Sequence, residues 1–543
     1  MSRSRSFACC ALAATAVFSA CSSSGQRVAS APAAELPRGD DPSLIVLIVV
    51  DQMRGDYYDR FESVLDGGIA WLWQNGAVFT DGHQNHSMTA TAPGHATIST
   101  GTEPAKHGVI GNTWFNRETG YEEYSGSRPR SPANLEVTAL GDWMKARDAR
   151  SKVFTASAKD RSAVMMGGQR PDGAYWYGRS AGDWVTSSFY TWAQRDWLDE
   201  LNALDWLGRF KGTAWEPVLS PSRYDELGLV EIDTGLVPSG FPYALGSYSV
   251  HSGSSYYSSI YDTPFVDAYL AEFAKQAIEN EGLGLDGSPD LLGLSFSALD
   301  SVGHDFGPDS PEALDTLIRL DRLLGDLIEY IDETVGLEHV VFALSADHGV
   351  VTYPEVEQMR GGSQRRLGAE DIICVQRAGV KLRETYGDKP WLSYGFYLDR
   401  DLVVSEGQDV NEMATALAGW VESCEAVERA WTDAEIAALP LGEGPLAEQR
   451  FRNNYFPGRG ADVVLQLREG YLYNGSGLGT THGSVYDYDT WVPVVFAGPG
   501  ARPTRIDARV SAADIAPTLA AWLGIAFPDN LDGTDLSSEF RRE

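Results

Sequence analysis

Runs of consecutive apolar residues that end in charged side chains constrain the fold of this chain most strongly. The first run, "SLIVLIVVD", ends at Asp51, and similar runs precede Asp300 and Asp347. A fourth run, "KVFTASAKDR", leads to Lys159 and Arg161. Because the first run is apolar at every position and the others contain few charged residues before their ends, the runs predict strands that are buried on both faces, as in parallel sheets.

The segment between the runs that precede Asp300 and Asp347 predicts a long amphipathic helix. Ser310 suits the N-cap, Pro311 the first helical position and Gly336 the end of the helix. Leucine and isoleucine recur between them at helical spacing. A strand–helix–strand unit places parallel strands side by side. The predicted fold is therefore α/β, with a doubly wound, mainly parallel central sheet, helices on both of its faces, and capping insertions.

Two regions interrupt this pattern and predict insertions over the carboxyl edge of the sheet. Residues 170–290 are rich in aromatic side chains, and residues 355–475 contain the two cysteines of the mature chain, Cys374 and Cys424. We therefore predict a main domain over 43–543 with cap or rim insertions in these two regions. Clustered tryptophans are more often core residues than ligand contacts. The two cysteines could pair in an oxidising compartment, but their spacing does not require a disulfide.

The N-terminus has the pattern of an export signal. Two arginines precede an apolar stretch that is too short to span a membrane, and small residues then precede Cys21. This pattern is typical of bacterial lipoprotein signals, in which Cys21 carries a lipid anchor, and ordinary cleavage near Ala20 is the alternative. We predict a signal peptide over 1–21, a flexible tether over 22–42, and a periplasmic or outer-membrane-anchored location in a Gram-negative bacterium.

The net charge of the chain is −33, which argues against nucleic-acid binding through basic patches. An anionic substrate would need a locally positive pocket. The cysteines lack metal-ligand spacing, and we find no acidic loop with convincing calcium-ligand spacing. The sequence does not indicate an oligomeric state.

Aspartate and histidine accumulate where the predicted strands end, which is where ligands bind in doubly wound sheets. Taken singly, such a residue is more often a cap or a structural group. Together in one α/β framework they suit a pair of divalent ions, and mixed nitrogen and oxygen ligands favour zinc over magnesium or calcium. The candidate ligands are Asp51, Asp300, His304, Asp347, His348 and His482.

The stretch "NHSMTATAPGHATISTG", residues 85–101, contains several hydroxyl side chains around a Pro-Gly pair. A Ser/Thr-rich helix start would account for this composition, and so would a nucleophile at a helix N-terminus. Pro93 suits the first turn of a helix, whose free amides favour a nearby anion. From the residues alone, Ser87, Thr89 and Thr91 all stay candidates.

The order of these motifs resembles that of the alkaline phosphatase superfamily. The similarity is greatest to the bacterial periplasmic PafA-like and PhoK-like branch and more distant to nucleotide pyrophosphatase/phosphodiesterases. It runs from about residue 43 to the closing helix and implies an alkaline phosphatase-like catalytic domain. The motifs that carry it are Asp51, T-x-P-x-H at Thr91–His95, D-x-x-x-H at Asp300–His304, D-H-G at Asp347–Gly349 and T-H-G at Thr481–Gly483.

The resemblance implies a role for each matching residue. Thr91 is the nucleophile that becomes phosphorylated, whereas Ser87 and Thr89 match no functional position. Asn112, Lys159 and Arg161 contact the phosphoryl oxygens. One zinc ion is held by Asp300, His304 and His482, and the other by Asp51, Asp347, His348 and the oxygen of Thr91.

The resemblance also implies hydrolysis of phosphate monoesters. Two zinc ions, three carboxylates and a threonine alkoxide carry a net charge of about zero, which Lys159 and Arg161 raise to about +2, matching a monoester dianion. A diester carries one negative charge fewer and should therefore fit this site less well. A phosphodiesterase or nucleotide pyrophosphatase of the same superfamily is the alternative. A sulfatase would need the motif C/S-x-P-x-R, which T-x-P-x-H at Thr91–His95 does not match. Phosphoglycerate-mutase-type relatives use serine with manganese, and Thr91 argues against that class. A non-catalytic lipoprotein with a structural metal site would not need Thr91 and Asn112 as well.

Overall fold

A nine-stranded sheet lies at the centre of the computed structural model, which describes residues 42–232, 240–246, 255–474 and 479–541. The strands are β1 (Leu44–Val50), β2 (Ala77–His83), β3 (Val153–Ser157), β4 (Gly173–Gly178), β5 (Asp183–Val185), β6 (Asp290–Phe296), β7 (Val340–Ser345), β8 (Val494–Ala497) and β9 (Thr504–Ser511). Their order across the sheet is β9–β2–β8–β7–β1–β6–β3–β4–β5.

Most neighbouring strands of this sheet are parallel. β1 pairs in parallel with β6 and β7, β6 with β3, β3 with β4, and β9 with β2. The antiparallel pairs are those of β8 with both of its neighbours and of β5 with β4 at the edge. The predicted mainly parallel sheet is therefore confirmed.

β1 shows why a continuous apolar run forms a central strand. All seven of its residues are buried. Alternate residues beginning with Leu44 pack into one apolar cluster, and the intervening residues beginning with Ile45 pack into a second. Because side chains alternate across a strand, a strand that is covered on both faces needs an apolar residue at every position.

Helices supply the apolar side chains that cover the two faces. The helices Gly68–Asn75, Phe265–Glu281 and Pro311–Thr334 contribute to the cluster on one face, and Leu140–Arg147 and Ile515–Trp522 contribute to the cluster on the other, as predicted. The helices of eight or more residues are α1 (Gly68–Asn75), α2 (Thr91–Thr100), α3 (Leu140–Arg147), α4 (Asp160–Gly167), α5 (Asp196–Ala203), α6 (Phe265–Glu281), α7 (Ala298–Phe306), α8 (Pro311–Thr334), α9 (Ala369–Tyr386), α10 (Val410–Glu422), α11 (Leu446–Asn454) and α12 (Ile515–Trp522).

The strand directions bring distant segments of the chain to one edge of the sheet. β1, β3 and β7 end at this edge, so Asp51, Lys159 and Asp347 lie just beyond it. β8 is antiparallel to β7 and therefore begins there, which brings in the preceding segment with His482. β2 is antiparallel to β8 and ends there, shortly before Thr91.

The two regions that the sequence predicts as insertions pack differently. Within 170–290, β4 and β5 extend the main sheet, and aromatic side chains such as Trp184 join the cluster on the α6 face. Within 355–475, side chains of α9 and α10 form an apolar cluster of their own. A disulfide between Cys374 and Cys424 lies in this second region and joins α9 to the segment that follows α10.

The predicted signal peptide, residues 1–21, lies outside the described residues, as does the predicted tether except for its last residue. The lipid anchor at Cys21 stays a prediction. Within the described ranges, no helix combines the length and the apolar character needed to cross a membrane.

A buried carboxylate fixes the start of α7. Asp267, on α6, accepts hydrogen bonds from the backbone N–H groups of Ser297 at 2.9 Å and Ala298 at 3.2 Å. Free N–H groups at a helix start need such partners, and a carboxylate is favoured there by the helix dipole. Asp267 therefore positions the helix that carries Asp300 and His304.

Asp267 makes stability depend on pH in a direction that can be tested. Burial raises its pKa to about 7 in the folded chain, whereas an unfolded aspartate ionises near pH 4. The stabilisation from its protonated form is therefore complete below about pH 4 and declines as the pH rises to about 7. Between pH 5 and pH 7 this decline amounts to about 2 kcal/mol. Asp267→Asn, which stays neutral, should lose correspondingly less unfolding free energy over this range in urea titrations.

The control for this measurement is Glu279→Gln, an exposed position on the same helix. It should keep the pH dependence of the unmodified chain. Equal slopes for Asp267→Asn and the unmodified chain would contradict the prediction.

Candidate active site

The aspartates and histidines that follow the strands meet as two compact groups. In each group, three side chains offer ligand atoms that lie within 4.8 Å of one another. The first group, named the outer group here, is Asp300, His304 and His482, and the second, named the inner group, is Asp51, Asp347 and His348. The residues fall into the same two sets that the resemblance implies, although their role as metal ligands stays a prediction.

The outer group depends on one turn of α7. Asp300 and His304 are four residues apart, which places them on one face of the helix, and His304 Nε2 lies 3.2 Å from Asp300 Oδ1. His482 Nε2 lies 3.7 Å from the same oxygen. Hydrogen bonds to backbone carbonyls orient both rings, since Nδ1 of His304 donates to Thr480 at 2.8 Å and Nδ1 of His482 donates to Thr89 at 2.6 Å. Each histidine thus directs Nε2 towards the carboxylate.

The inner group is completely buried. His348 Nε2 lies 3.5 Å from both Asp51 Oδ1 and Asp347 Oδ2. Burial raises the pKa of Asp51 well above its usual value, and the charge of Asp347 raises it further. Burial lowers the pKa of His348, which favours the neutral imidazole that binds metals.

Several atoms of the inner group have no hydrogen-bond partner among the described residues. Besides Asp51 Oδ2, which forms an ion pair with Lys159, they are Asp51 Oδ1, Asp347 Oδ2 and His348 Nε2, and these three are buried. Buried polar atoms are costly unless they are hydrogen-bonded or coordinated, and these three lie close together. One imidazole nitrogen and two carboxylate oxygens form a donor set typical of zinc, so these residues fit a divalent ion.

The two groups are immediate neighbours. The rings of His348 and His482 stack with their centroids 3.5 Å apart. Lys159 links the groups electrostatically, because its ammonium lies 2.6 Å from Asp51 Oδ2 and also pairs with Asp300 Oδ2. Burial lowers the pKa of Lys159, but Asp300 and Asp51 raise it by more, so the net pKa is raised and the ammonium stays charged.

Thr91 is the first residue of α2 and is buried beside the two groups. Arg161 Nη2 donates a hydrogen bond to Thr91 Oγ1 at 3.2 Å. Asn112 Oδ1 accepts one from the backbone N–H of Ala92 at 2.9 Å, which leaves the amide nitrogen of Asn112 as the group that can donate. The structure therefore brings Arg161 and Asn112 to Thr91, whereas it brings Lys159 to the carboxylates.

The Pro-Gly-His sequence after Thr91 sets α2 directly against the inner group. A Cβ atom at Gly94 would lie 2.2 Å from the carbonyl oxygen of Asp347, so only glycine permits this approach. His95 Nδ1 donates to the Thr91 carbonyl at 2.8 Å and lies 3.3 Å from Asp347 Oδ2. These contacts explain why the helix start has this composition.

Two supporting contacts could not be found from the sequence. Thr89, which matches no functional position, orients His482 through its carbonyl and donates its own hydroxyl to the Ser484 carbonyl. His95 contacts Asp347 across more than 250 residues of chain. Neither contact has a sequence signal, because a backbone carbonyl looks the same in every residue and the spatial neighbours are distant in sequence.

A cavity of about 680 Å³ opens next to Thr91. Arg161, Asn112 and His304 line it near the hydroxyl. Residues of the second predicted insertion, among them Phe456, also line it. The cavity is larger than a phosphate group needs, so there is room for a second moiety of a ligand.

Comparisons with known proteins agree with the motifs. The family model for type I phosphodiesterases/nucleotide pyrophosphatases matches residues 45–484. The alkaline phosphatase PafA of Elizabethkingia meningoseptica is 30% identical over 531 residues, which cover 92% of this chain and 95% of that protein. The alkaline phosphatase PhoK of a Sphingomonas species is 31% identical over 535 residues, which cover 91% of this chain and 90% of that protein.

The fold agrees as well. The crystal structure of wild-type alkaline phosphatase PafA superimposes with a TM-score of 0.84 and 28% identity, covering 92% of this chain and 98% of that chain. The resemblance stated from the motifs is therefore confirmed. The chain belongs to the type I phosphodiesterase/nucleotide pyrophosphatase family.

Proposed function

We propose that this protein is a zinc-dependent alkaline phosphatase that hydrolyses phosphate monoesters through a phosphothreonine at Thr91. The observation that carries the proposal is the Thr91 hydroxyl at a helix N-terminus, 3.2 Å from Arg161 and beside two groups of metal-type donors. The relatives named alkaline phosphatases, at about 30% identity over most of the chain, support it.

Two zinc ions are proposed as cofactors. Asp300, His304 and His482 would hold one, and Asp51, Asp347, His348 and the Thr91 oxygen would hold the other. When bound, such ions act as Lewis acids that lower the pKa of a nearby hydroxyl and stabilise negative charge on oxygen. The chain itself supplies buried negative charge for them, because Asp51, Asp300 and Asp347 lie together and the Lys159 ammonium pairs with only two of them.

Thr91 carries out the covalent step. Its oxygen bonds to phosphorus as the hydroxyl proton passes to water, the bond from phosphorus to the leaving oxygen breaks, and that oxygen takes up a proton from water to depart as the alcohol. Water then attacks the phosphothreonine, which releases inorganic phosphate and restores the hydroxyl. The positive end of the α2 dipole favours the negative charge of the phosphoryl group throughout.

Arg161 and Asn112 hold the phosphoryl group. The Arg161 guanidinium can donate to two of its oxygens, and the Asn112 amide nitrogen can donate to another. Lys159 adds a second positive charge from its place between Asp51 and Asp300. This charge favours a monoester dianion over a diester monoanion.

The second candidate function is phosphodiester or nucleotide pyrophosphate hydrolysis. The description of the family model and the room in the cavity beyond Thr91 favour it. It would use the same nucleophile and the same metal donors, so the choice between the candidates depends on substrate preference.

The location and the domain organisation stay proposals. We propose export through the signal over 1–21, with a lipid anchor at Cys21. The main catalytic domain extends over 43–543, and the second insertion forms part of the rim of the cavity. Small-molecule monoesters are the proposed substrates.

Metal binding should stabilise the chain and depend on the inner group. Adding zinc to chelator-treated protein should raise its Tm, because a ligand that binds only the folded state stabilises it. After equilibrium dialysis, atomic spectroscopy should find two zinc ions per chain, and about one in Asp347→Asn. Asp326→Asn, at an exposed position on α8, should bind as the unmodified chain does. The absence of bound zinc in the unmodified protein would contradict the proposal.

Thr91→Ala should abolish the covalent intermediate. We expect kcat for an aryl monoester to fall at least about 10³-fold, since the nucleophile has no substitute. Mass spectrometry of acid-quenched enzyme should find phosphate on Thr91 in the unmodified protein and none in the variant. Ser87→Ala, which removes a hydroxyl from the same cavity, is the control. An undiminished phosphoenzyme in Thr91→Ala would show that another residue is the nucleophile.

Arg161→Ala should lower kcat/KM for an aryl monoester more than for the matching diester. Loss of a charge-assisted contact costs about 1.5–3 kcal/mol, or roughly 10- to 150-fold, for the substrate that uses it. The exposed Arg170→Ala should change neither rate. A preference of the unmodified protein for the diester would instead support the second candidate function, and equal losses would remove Arg161 as the discriminating residue.

A further inference from the structure

Gln52 is a buried polar residue that lies between the outer and inner groups. It follows Asp51 directly, is 1% exposed, and has a φ of 70°, in the left-handed region that residues other than glycine rarely adopt. Its conformation costs about 1 kcal/mol, so the surrounding structure must hold it in place.

Gln52 contacts one carboxylate of each group. Its backbone N–H donates to Asp347 Oδ1 at 3.1 Å, and its side-chain Nε2 donates to Asp300 Oδ1 at 2.7 Å. The left-handed turn allows both contacts, because it directs the backbone N–H to one group while the side chain reaches the other. Gln52 is neither a proposed metal ligand nor a proposed contact of the phosphoryl group.

We infer that Gln52 is a positioning residue that orients Asp347 and Asp300 and so couples the two metal-binding groups to each other. The inference rests on the proposed function only in requiring that the groups bind metal. Metal-ligating carboxylates are oriented by hydrogen bonds from outside the ligand set, and loss of such a bond typically weakens metal binding 10- to 100-fold.

The contacts at Asp347 show how the orientation works. Asp347 Oδ1 accepts hydrogen bonds from the backbone N–H groups of Gln52 and His348, at 3.1 and 3.0 Å. These two bonds occupy Oδ1 and leave Oδ2 as the oxygen that faces His348 Nε2 without a hydrogen bond. The carboxylate therefore presents one particular oxygen to the centre of the inner group.

The contact at Asp300 acts on the oxygen that faces the histidines. Asp300 Oδ1 lies 3.2 Å from His304 Nε2 and accepts from Gln52 Nε2, while Asp300 Oδ2 pairs with Lys159. An amide bond to Oδ1 holds the carboxylate plane and still leaves a lone pair on that oxygen.

The side chain of Gln52 packs directly against α7 at Gly303. A Cβ atom at Gly303 would lie 1.9 Å from Gln52 Oε1. Any other residue at Gly303 would push the amide away from Asp300, one turn earlier on the same helix. The lack of a side chain at Gly303 thus keeps the Gln52 amide within reach of the outer group.

Two substitutions distinguish the effect of the Gln52 side-chain amide from the effect of its left-handed backbone conformation. Gln52→Met keeps the length and packing of the side chain but cannot donate a hydrogen bond. Gln52→Gly also removes the donor, relieves the left-handed backbone, and keeps the N–H that binds Asp347. Gln169→Met is the matched control, because its amide donates to backbone carbonyls at Leu135 and Val137, outside the two groups.

Zinc dissociation constants are measured by competition with a chromophoric chelator, together with the Tm of the zinc-free proteins. Both Gln52 variants should bind zinc at the outer group about 10- to 100-fold more weakly than the unmodified chain, and the two binding steps should become independent. The Tm of zinc-free Gln52→Met, which keeps the volume of the side chain, should fall by no more than that of Gln169→Met. Activity should drop at limiting zinc and recover at saturating zinc, since Gln52 acts through the metal groups.

Unchanged zinc affinity in Gln52→Gly would overturn the inference and reduce Gln52 to a turn residue. A loss of affinity that follows a fall in Tm in both variants would overturn it as well, because general unfolding would then explain the loss. If the unmodified chain binds two zinc ions but lacks phosphatase activity, the proposed function fails while the zinc titrations still test Gln52. If the unmodified chain binds no zinc, both fail.

Discussion

Three carboxylates that lie within one buried site are the constraint on which the rest of this structure depends. Burial of Asp51, Asp300 and Asp347 is costly, and their mutual repulsion adds to the cost; both effects raise the pKa of Asp51. Lys159 pairs with two of them and offsets part of that cost, and it holds the pKa of Asp300 well below its usual value despite burial. The atoms of the inner group that still lack a partner are the ones suited to a metal ion.

The sheet topology creates this concentration of charge. Parallel strands end at the same edge, so the residue that follows β1 converges with residues that follow β6 and β7, about 250 to 300 positions later in the chain. The antiparallel strand β8 begins at that edge and therefore brings His482 from the preceding loop. The lack of a side chain at Gly94 lets the backbone of α2 lie against Asp347, which places the start of α2, and with it Thr91, at the same edge. The Thr91 hydroxyl, its contacts and the outer and inner groups thus share one framework of strands and helices.

Much of this arrangement could be predicted from residue patterns. Continuous apolar runs indicated a parallel sheet because only a strand covered on both faces needs them, and the motif order indicated the family. The membership of the two donor groups followed from the resemblance. The orienting contacts did not: the Thr89 carbonyl on His482, the Gln52 amide on Asp300 and the place of Lys159 between two carboxylates all join residues that are distant in the chain.

The sequence by itself determined the class of fold, the family and the chemical types gathered at the strand ends, because hydrophobic periodicity and motif spacing are local properties of the chain. Only the tertiary structure decided which oxygen of Asp347 faces His348, that Arg161 rather than Lys159 lies next to Thr91, and that Cys374 and Cys424 pair. These outcomes depend on distances and directions between side chains from different elements. They are set when the whole core packs, and no single segment encodes them.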